Sequence, residues 1–125
     1  MDDSSPVKSV VWIGSSRMDL KAFPSEVQDI IGYAIYQAQI GLKAPETKPL
    51  LGFGGAGVLE VVEDYQTDTY RAVYTVKFAE FIYVLHAFQK KSKKGGATPK
   101  LNIDLIKRRL KAAEQHFKST TIRKT

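Results

Sequence analysis

Residues that could do chemistry concentrate around the end of one long apolar run, 80–88. Four lysines follow this run within five positions: Lys90, Lys91, Lys93 and Lys94. Arg71 lies in a second apolar run, 69–76, where a charged group is costly unless it faces water or a partner. Its planar guanidinium suits bidentate binding of phosphate, and the ammonium groups add positive charge. These residues predict a surface that holds a polyanion, although an Arg71 paired with Glu60 or Asp64 is an open alternative.

Two kinds of residue near this surface offer proton transfer. His86 titrates near neutral pH, which suits a general acid or base, but a histidine in an apolar strand also serves as a structural residue. Lys90 and Lys91 repel each other, so one of them would release a proton more readily than an isolated lysine. The alternative is that the lysines form a solvated run that only attracts a polyanion.

The charge of the chain is strongly asymmetric. Residues 86–125 carry twelve Lys or Arg and two acidic residues, a net charge of +10. Residues 1–85 carry seven basic and eleven acidic residues, a net charge of −4. This asymmetry suggests that the C-terminal third builds a face for a nucleic acid or an acidic partner. A solvated basic helix with a frayed tail would explain the same charges, so composition leaves both interpretations open.

A β-hairpin is predicted to position these residues. Its arms are 69–76 and 80–88, joined by the short connection 77–79. Strict alternation divides the second arm into two largely apolar faces: Phe81, Tyr83, Leu85 and Ala87 on one, and Ile82, Val84, His86 and Phe88 on the other. We therefore expect a central strand that is covered on both faces and that ends with the lysines at the rim of the sheet.

The remaining elements give the order β-α-loop-β-β-β-α. Strands are predicted over 8–13 and 58–63, and the second of these extends the hairpin into a three-stranded meander. A helix begins near Pro24, where apolar residues recur at helical spacing: Val27, Ile30, Ile31, Ala34, Ile35 and Ala38.

A C-terminal helix is predicted after Thr98-Pro99. Its apolar residues recur every three or four positions: Ile103, Ile106, Leu110, Ala113 and Phe117. Segments 1–7 and 119–125 lack such periodicity, and both are predicted to be disordered.

Composition narrows the class of protein. The length of 125 residues suits one domain, so we predict a single domain over 1–125. The absence of Cys excludes disulfides and fits a reducing compartment. No apolar run approaches the roughly 20 residues of a membrane span, and the N-terminus is acidic, so a cytoplasmic protein is predicted. No cluster of His, Cys or paired carboxylates has the spacing of metal ligands, so neither a metal nor a cofactor is expected.

Four short motifs, in this order, resemble the RelE/ParE toxin superfamily and more closely the phage-derived HigB-like toxins. They are 19–24 (DLKAFP), 59–61 (LEV), 70–74 (YRAVY) and 84–92 (VLHAFQKKS), the last followed by Thr98-Pro99. The similarity spans 10–117 and implies a small α+β domain. Its twisted antiparallel sheet would have about four strands, with N-terminal helices packed on one side and a C-terminal helix. Two positions depart from the family, since Val62 stands where members often have Arg and 95–97 lengthens the link after the lysines.

The resemblance also implies an activity. Such toxins of type II toxin–antitoxin systems are ribosome-dependent mRNA endonucleases that inhibit translation, and each is neutralised in a hetero-oligomer by an antitoxin, often a helix-turn-helix protein. RNA cleavage without a metal uses the 2′-OH as nucleophile and needs a base, an acid and cations for the charge on phosphorus. Catalysis is therefore assigned to Arg71, Lys90, Lys91 and His86, and RNA binding to Ser92, Lys93, Lys94 and Tyr70.

Two other functions stay open at this point. A non-catalytic module of the same fold would bind nucleic acid or a protein through the basic face, and Val62 in place of an arginine favours it. The ParE branch shares the fold without being a nuclease, so a gyrase-directed toxin is the third possibility.

Overall fold

A computed structural model of the chain describes residues 7–54, 57–91 and 96–124. The helices and strands follow in the order β1 (Ser9–Trp12), α1 (Ser16–Lys21), α2 (Ser25–Gln39), β2 (Thr47–Pro49), β3 (Val58–Tyr65), β4 (Asp68–Thr75), β5 (Phe81–Lys90) and α3 (Lys100–Lys124). Within the described ranges, no helix is both long and apolar enough to cross a membrane.

The strands form one mixed sheet in the order β1-β5-β4-β3-β2. The α+β class is confirmed, and β3, β4 and β5 are antiparallel neighbours as the predicted meander requires. Two details correct the prediction, because the sheet has five strands and β1 runs parallel to β5. The added strand, β2, is three residues long and contains Pro49, which is tolerated at an edge because proline has no N–H to donate.

Both faces of the sheet are covered, so the expectation for the central strand is correct. On one face, α2 buries five residues of its predicted apolar stripe (Val27, Ile31, Ala34, Ile35 and Ala38) against residues such as Val61, Tyr74 and Val84, while the sixth, Ile30, is half-buried. On the opposite face, Ile106 and Ala113 of α3 belong to a second cluster with Tyr83 and Leu85. The N-terminal helix α2 and the C-terminal helix α3 therefore lie on opposite faces of the sheet. Full burial of one such aliphatic side chain stabilises the fold by about 1.5–3 kcal/mol.

A β-bulge interrupts the pairing of β4 with β5. Val73 pairs with His86 whereas Tyr74 pairs with Val84, so Leu85 is an extra residue in β5. An extra residue reverses the facing of every side chain that follows it.

The bulge decides which face carries the histidine. Before it, Ile82 and Val84 pack in the cluster under α2. After it, Phe88 joins the cluster under α3, and His86 stacks on Phe88 with ring centroids 4.9 Å apart. Strict alternation wrongly grouped His86 and Phe88 with Ile82 and Val84, although it correctly kept His86 with Phe88.

The last helix is longer than predicted. α3 continues to Lys124, so 119–124 is helical rather than disordered. No Gly or Pro interrupts the helix after Pro99, and Thr120 Oγ1 donates a 2.9 Å hydrogen bond to the carbonyl of His116. The predicted disorder of 1–6 and of residue 125 lies outside the described residues.

Candidate functional site

Arg71 lies inside the protein, on the α3 face of the sheet. Its side chain is 2% exposed. Nη1 donates to Glu60 Oε2 at 3.4 Å and to Thr98 Oγ1 at 3.2 Å, and Nη2 donates to the carbonyl of Gly96 at 3.0 Å. The guanidinium therefore joins β4, β3 and the segment that leads into α3. Pairing with Glu60 is the alternative noted for Arg71 from the sequence.

A short hydrogen bond completes this cluster. Thr98 Oγ1 donates to Glu60 Oε2 at 2.6 Å, and the Glu60 carboxylate is 2% exposed. A buried ion pair costs desolvation energy that its attraction only partly offsets, so the additional hydrogen bonds matter. Arg71 Nε has no acceptor among the described residues. Removing either charge would leave the other buried without an opposite charge, which typically destabilises a protein by about 3–5 kcal/mol.

His86 lies in a second cluster on the same face, beneath α3. Its Nε2 lies 2.7 Å from Asn102 Oδ1, and Arg109 Nη1 lies 3.4 Å from its Nδ1. Because Arg109 can only donate, Nδ1 is the accepting nitrogen, and Nε2–H donates to Asn102. Burial lowers the pKa of His86, and Arg109 adds to this effect, while the bond to Asn102 and the charge of Asp19 oppose it. The ring is therefore neutral at pH 7.

Arg109 connects this cluster to the turn between β1 and α1. Nη1 also donates to the carbonyl of Leu85 at 2.9 Å, and Nη2 donates to Ser15 Oγ at 3.1 Å. Ser15 in turn donates to Asp19 at 2.7 Å. The guanidinium packs so closely that a Cβ at Gly14 would lie 2.8 Å from its Nε. The arginine thus fixes both the histidine and the turn.

The two described lysines lie at the end of β5. Lys90 is the last residue of the strand, opposite Thr69, and is half-buried. Lys91 follows it and is exposed. Alternation after the bulge gives Lys90 the same face as Phe88 and His86. Ser92, Lys93 and Lys94, which were also predicted to bind RNA, lie outside the described residues.

Comparison with known proteins identifies the family. The profile of a family described as phage-derived protein Gp49-like (DUF891) matches residues 18–111, which is most of the chain. The chain belongs to the Gp49-like family. This is a family of RelE-like toxins, so the resemblance seen in the sequence is confirmed. No curated protein matches the chain.

A solved structure of another protein is similar to this Gp49-like toxin. It is a chain from the crystal structure of the toxin–antitoxin complex RelBE2 of Mycobacterium tuberculosis, with 20% sequence identity and a TM-score of 0.43. The match covers 69% of the Gp49-like chain and 100% of the other. At this TM-score the likeness adds no argument to the family assignment.

The predicted site residues of the Gp49-like toxin fall into three positions. Arg71 and His86 share the α3 face, and Arg71 pairs in register with Phe88, on which His86 stacks. Lys90 is the last residue of β5, the strand that contains His86, as expected. Tyr70 points to the opposite face, is 7% exposed and packs edge-on against Phe23 at 4.9 Å. Tyr70 is therefore a core residue on the face opposite to Arg71 and His86.

Sequence reasoning missed Arg109, Asn102 and Thr98 as members of these clusters, and it named Glu60 only as one of two possible partners of Arg71. Asn102, Ile106, Arg109 and Ala113 recur at spacings of four, three and four, which marks one helix face and could have singled out the arginine. Glu60 and Thr98 carry no such signal, because their contact depends on the fold. In the described part of the chain, no group of three or more His, Cys, Asp or Glu residues could hold a metal ion.

Proposed function

We propose that this Gp49-like toxin is a metal-independent endoribonuclease that cleaves mRNA on the ribosome and so inhibits translation in the cytoplasm. The observation that carries the proposal is a neutral histidine and a lysine on one face of β5, with an aromatic ring between them. His86, Phe88 and Lys90 occupy alternate positions after the bulge, so His86 and Lys90 are about 13 Å apart along the strand.

Each of these residues suits one step of RNA cleavage. A neutral His86 can accept the proton of the 2′-OH at Nδ1, where the contact from Arg109 is long at 3.4 Å. Phe88 offers a ring on which a base can stack. Lys90 and Lys91 supply cations for the negative charge that develops on phosphorus, and either ammonium group can donate a proton to the 5′-oxygen as its bond to phosphorus breaks.

Arg71 takes a different role in this proposal. Its guanidinium is occupied by Glu60, Thr98 and Gly96, so it positions the segment before α3 rather than touching phosphate. A charge that holds a neighbouring element in place contributes to the rate through orientation.

The cognate antitoxin is the second proposed partner. A small basic toxin with a charge of +6 requires an inhibitor while it is not acting, and a helix-turn-helix protein encoded beside it is the expected form. Co-purification of the neighbouring gene product with the tagged toxin tests this partner.

A non-catalytic binding module is the second candidate function, and the burial of Arg71 is the observation that favours it. The two differ in a direct test, in which the chain is induced in cells and mRNA is mapped by primer extension. The endonuclease predicts growth arrest with new mRNA ends in translated regions. Arrest with intact mRNA would favour the binding module, and gyrase trapped on DNA would favour a gyrase-directed toxin.

A further inference from the structure

Arg109 carries a positive charge that no carboxylate neutralises in the described part of the chain. It belongs to none of the salt bridges there. Its guanidinium donates only to neutral acceptors, which are the carbonyl of Leu85, Ser15 Oγ and Nδ1 of the His86 ring. The charge of Arg71, in contrast, faces a buried carboxylate. Arg109 is therefore the arginine beside His86 that can still bind an anion.

The N–H groups of Arg109 are not all used. A guanidinium has five of them. Nη1 donates to the carbonyl of Leu85 at 2.9 Å, Nη2 donates to Ser15 Oγ at 3.1 Å, and the contact of Nη1 with His86 Nδ1 is long at 3.4 Å. Nε has no acceptor among the described residues, yet it is not one of the buried atoms without a partner, as Arg71 Nε is. Because Arg109 is half-buried, this edge of the guanidinium is open to solvent.

The position of the guanidinium is fixed by its neighbours. Leu85, the extra residue of the bulge, turns its carbonyl toward Nη1, and Ser15 holds Nη2. A Cβ at Gly14 would lie 2.8 Å from Nε and 2.9 Å from both Cζ and Nη2, so the glycine packs on the flat face of the group and leaves an edge free. A cation held in this way needs little reorganisation when negative charge develops beside it, which is what makes fixed charges effective in catalysis.

We propose that Arg109 is a catalytic residue, which holds a non-bridging oxygen of the scissile phosphate while His86 takes the proton of the 2′-OH. The proposal rests on the endonuclease function, and it supplies the guanidinium that a buried Arg71 cannot provide. The 2′-OH and the phosphate that it attacks are on neighbouring carbons of one ribose. A 2′-oxygen held about 2.6–3.2 Å from Nδ1 therefore brings the phosphate within reach of a guanidinium whose Nη1 lies 3.4 Å from the same nitrogen.

The atoms of this step balance with groups of the chain and the substrate alone. The 2′-oxygen forms a bond to phosphorus, its proton passes to His86 Nδ1, and the bond from phosphorus to the 5′-oxygen breaks. That oxygen takes a proton from the ammonium group of Lys90 or Lys91, and a 2′,3′-cyclic phosphate is left on the other fragment. Nη1 of Arg109 keeps its bond to the carbonyl of Leu85 and turns its second N–H from Nδ1 to the phosphate. The negative charge then lies between the guanidinium and the imidazolium, which offsets their mutual repulsion.

Replacing one non-bridging oxygen of the scissile phosphate by sulfur tests the contact. The two diastereomers are compared by single-turnover cleavage on programmed ribosomes, at the site where the wild type cuts. Sulfur accepts poorly from a guanidinium, so we expect the wild type to cleave one diastereomer about tenfold more slowly than the other. Arg109→Gln should cleave the all-oxygen substrate about a hundredfold more slowly and should lose the difference between diastereomers. A purely structural role would lower the rate without removing that difference, and this result would overturn the proposal.

Arg108→Gln is the matched control. It removes the same charge from the next residue of α3, which is exposed. We expect it to keep the wild-type rate and the wild-type difference between diastereomers. Equal losses in Arg108→Gln and Arg109→Gln would mean that both act through the net charge of the helix, and the specific contact of Arg109 would be overturned.

A second variant keeps the test decisive if Arg109→Gln does not fold. Ser15 is exposed, and Ser15→Ala removes the acceptor of Nη2 while the guanidinium keeps its charge. We expect the rate to fall about tenfold and the difference between diastereomers to shrink, because a less fixed cation stabilises the transition state less. If Ser15→Ala changes neither quantity, the fixed guanidinium makes no contact with the phosphate.

The same experiment separates this inference from the function on which it rests. If the wild type cleaves and the difference between diastereomers disappears in Arg109→Gln, both stand. If the wild type cleaves and the difference persists in Arg109→Gln, the endonuclease stands and the role of Arg109 is overturned. If the wild type does not cleave mRNA on the ribosome, the endonuclease fails and the catalytic role of Arg109 fails with it.

Discussion

Thr98 and Glu60 are joined by a 2.6 Å hydrogen bond across 38 positions of sequence. The bond ties the segment before α3 to the middle of β3, and it brings Thr98 to Arg71 as well. Its acceptor is a buried carboxylate, and hydrogen bonds to charged groups contribute about 1.5–3 kcal/mol to stability. The start of the last helix is therefore fixed by a polar contact in addition to the apolar stripe.

Thr98→Val removes this hydrogen bond and keeps the shape of the side chain. We expect it to lower the free energy of unfolding by about 1.5–3 kcal/mol, measured by urea denaturation. Thr120→Val is the matched control, since its hydroxyl donates only to a backbone carbonyl on an exposed part of α3. Equal and small effects of the two substitutions would show that the bond to Glu60 contributes little.

Arg71→Met leaves Glu60 buried without its cation. We expect a loss of about 3–5 kcal/mol in the free energy of unfolding, and a smaller loss in the double variant Arg71→Met/Glu60→Gln, because that variant has no stranded charge. Toxicity is then measured at a temperature where each variant is folded. This measurement separates an effect of Arg71 on the position of its neighbours from a direct role of Arg71 in catalysis. A double variant that is no more stable than Arg71→Met alone would contradict an energetic coupling of the pair.

Local periodicity predicted most of the elements, and distant contacts account for the rest. The stripe of α2 and the arms of the central hairpin depend on neighbours in sequence, so both were predicted. The direction of β1 depends on β5, far along the chain, and the bulge at Leu85 has no marker such as a glycine. The burial of Arg71 likewise depends on Glu60 and Thr98, which no spacing rule brings together.

Gly14→Ala tests the close packing of Arg109 on the turn after β1. Gly14 has a φ of +58°, and a Cβ there would lie 2.8 Å from Arg109 Nε. We expect a loss of at least about 1–2 kcal/mol, because alanine is strained at this φ and Arg109 must also move. Gly32→Ala is the control, since nothing lies within 4 Å of its Cβ and alanine is favoured in a helix by about 0.5–1 kcal/mol. Thermal unfolding should shift in opposite directions for the two variants.

The pH dependence of stability reports on His86. Burial lowers its pKa below the usual value of 6.5, so the unfolded chain binds its proton more readily than the folded one. The stabilisation is complete above pH 6.5 and is lost as pH falls through the lower folded-state pKa. We therefore expect wild type to lose stability relative to His86→Gln as pH falls from 7 to 5.

The proposed role of His86 as general base predicts an acid limb in the pH profile of cleavage. If His86 accepts the proton of the 2′-OH, the single-turnover rate should rise with pH to a plateau, and the midpoint of the rise should lie below pH 6.5, because the pKa of the ring is lowered. Arg109, which reinforces that lowering, and Asp19, which opposes it, are the charged groups that act on the ring. An unchanged acid limb in active His86→Gln would remove the histidine from proton transfer.

The basic segment, 90–94, contains two pairs of lysines, and we expect the two pairs to have different roles. Lys90 is held by the end of β5 and Lys91 follows it directly, so these ammonium groups are positioned with respect to the sheet. Lys93 and Lys94, which lie outside the described residues, stand next to Gly95 and Gly96 in the sequence, and we predict that they only attract RNA. Loosely held charges attract RNA over a distance but contribute little to a transition state that requires fixed geometry.

Two double substitutions to glutamine measure this division by single-turnover cleavage on programmed ribosomes over a salt series. Neutralising Lys93 and Lys94 should weaken binding and flatten its salt dependence, by a slope of about 0.7 for each phosphate that the protein no longer neutralises, with little change in the saturated rate. Neutralising Lys90 and Lys91 should lower the saturated rate as well, by roughly a hundredfold if the pair stabilises the charge on phosphorus. Effects confined to binding in both variants would mean that the whole run only attracts RNA. The groups that cleave it would then have to be sought among His86 and its neighbours on the α3 face.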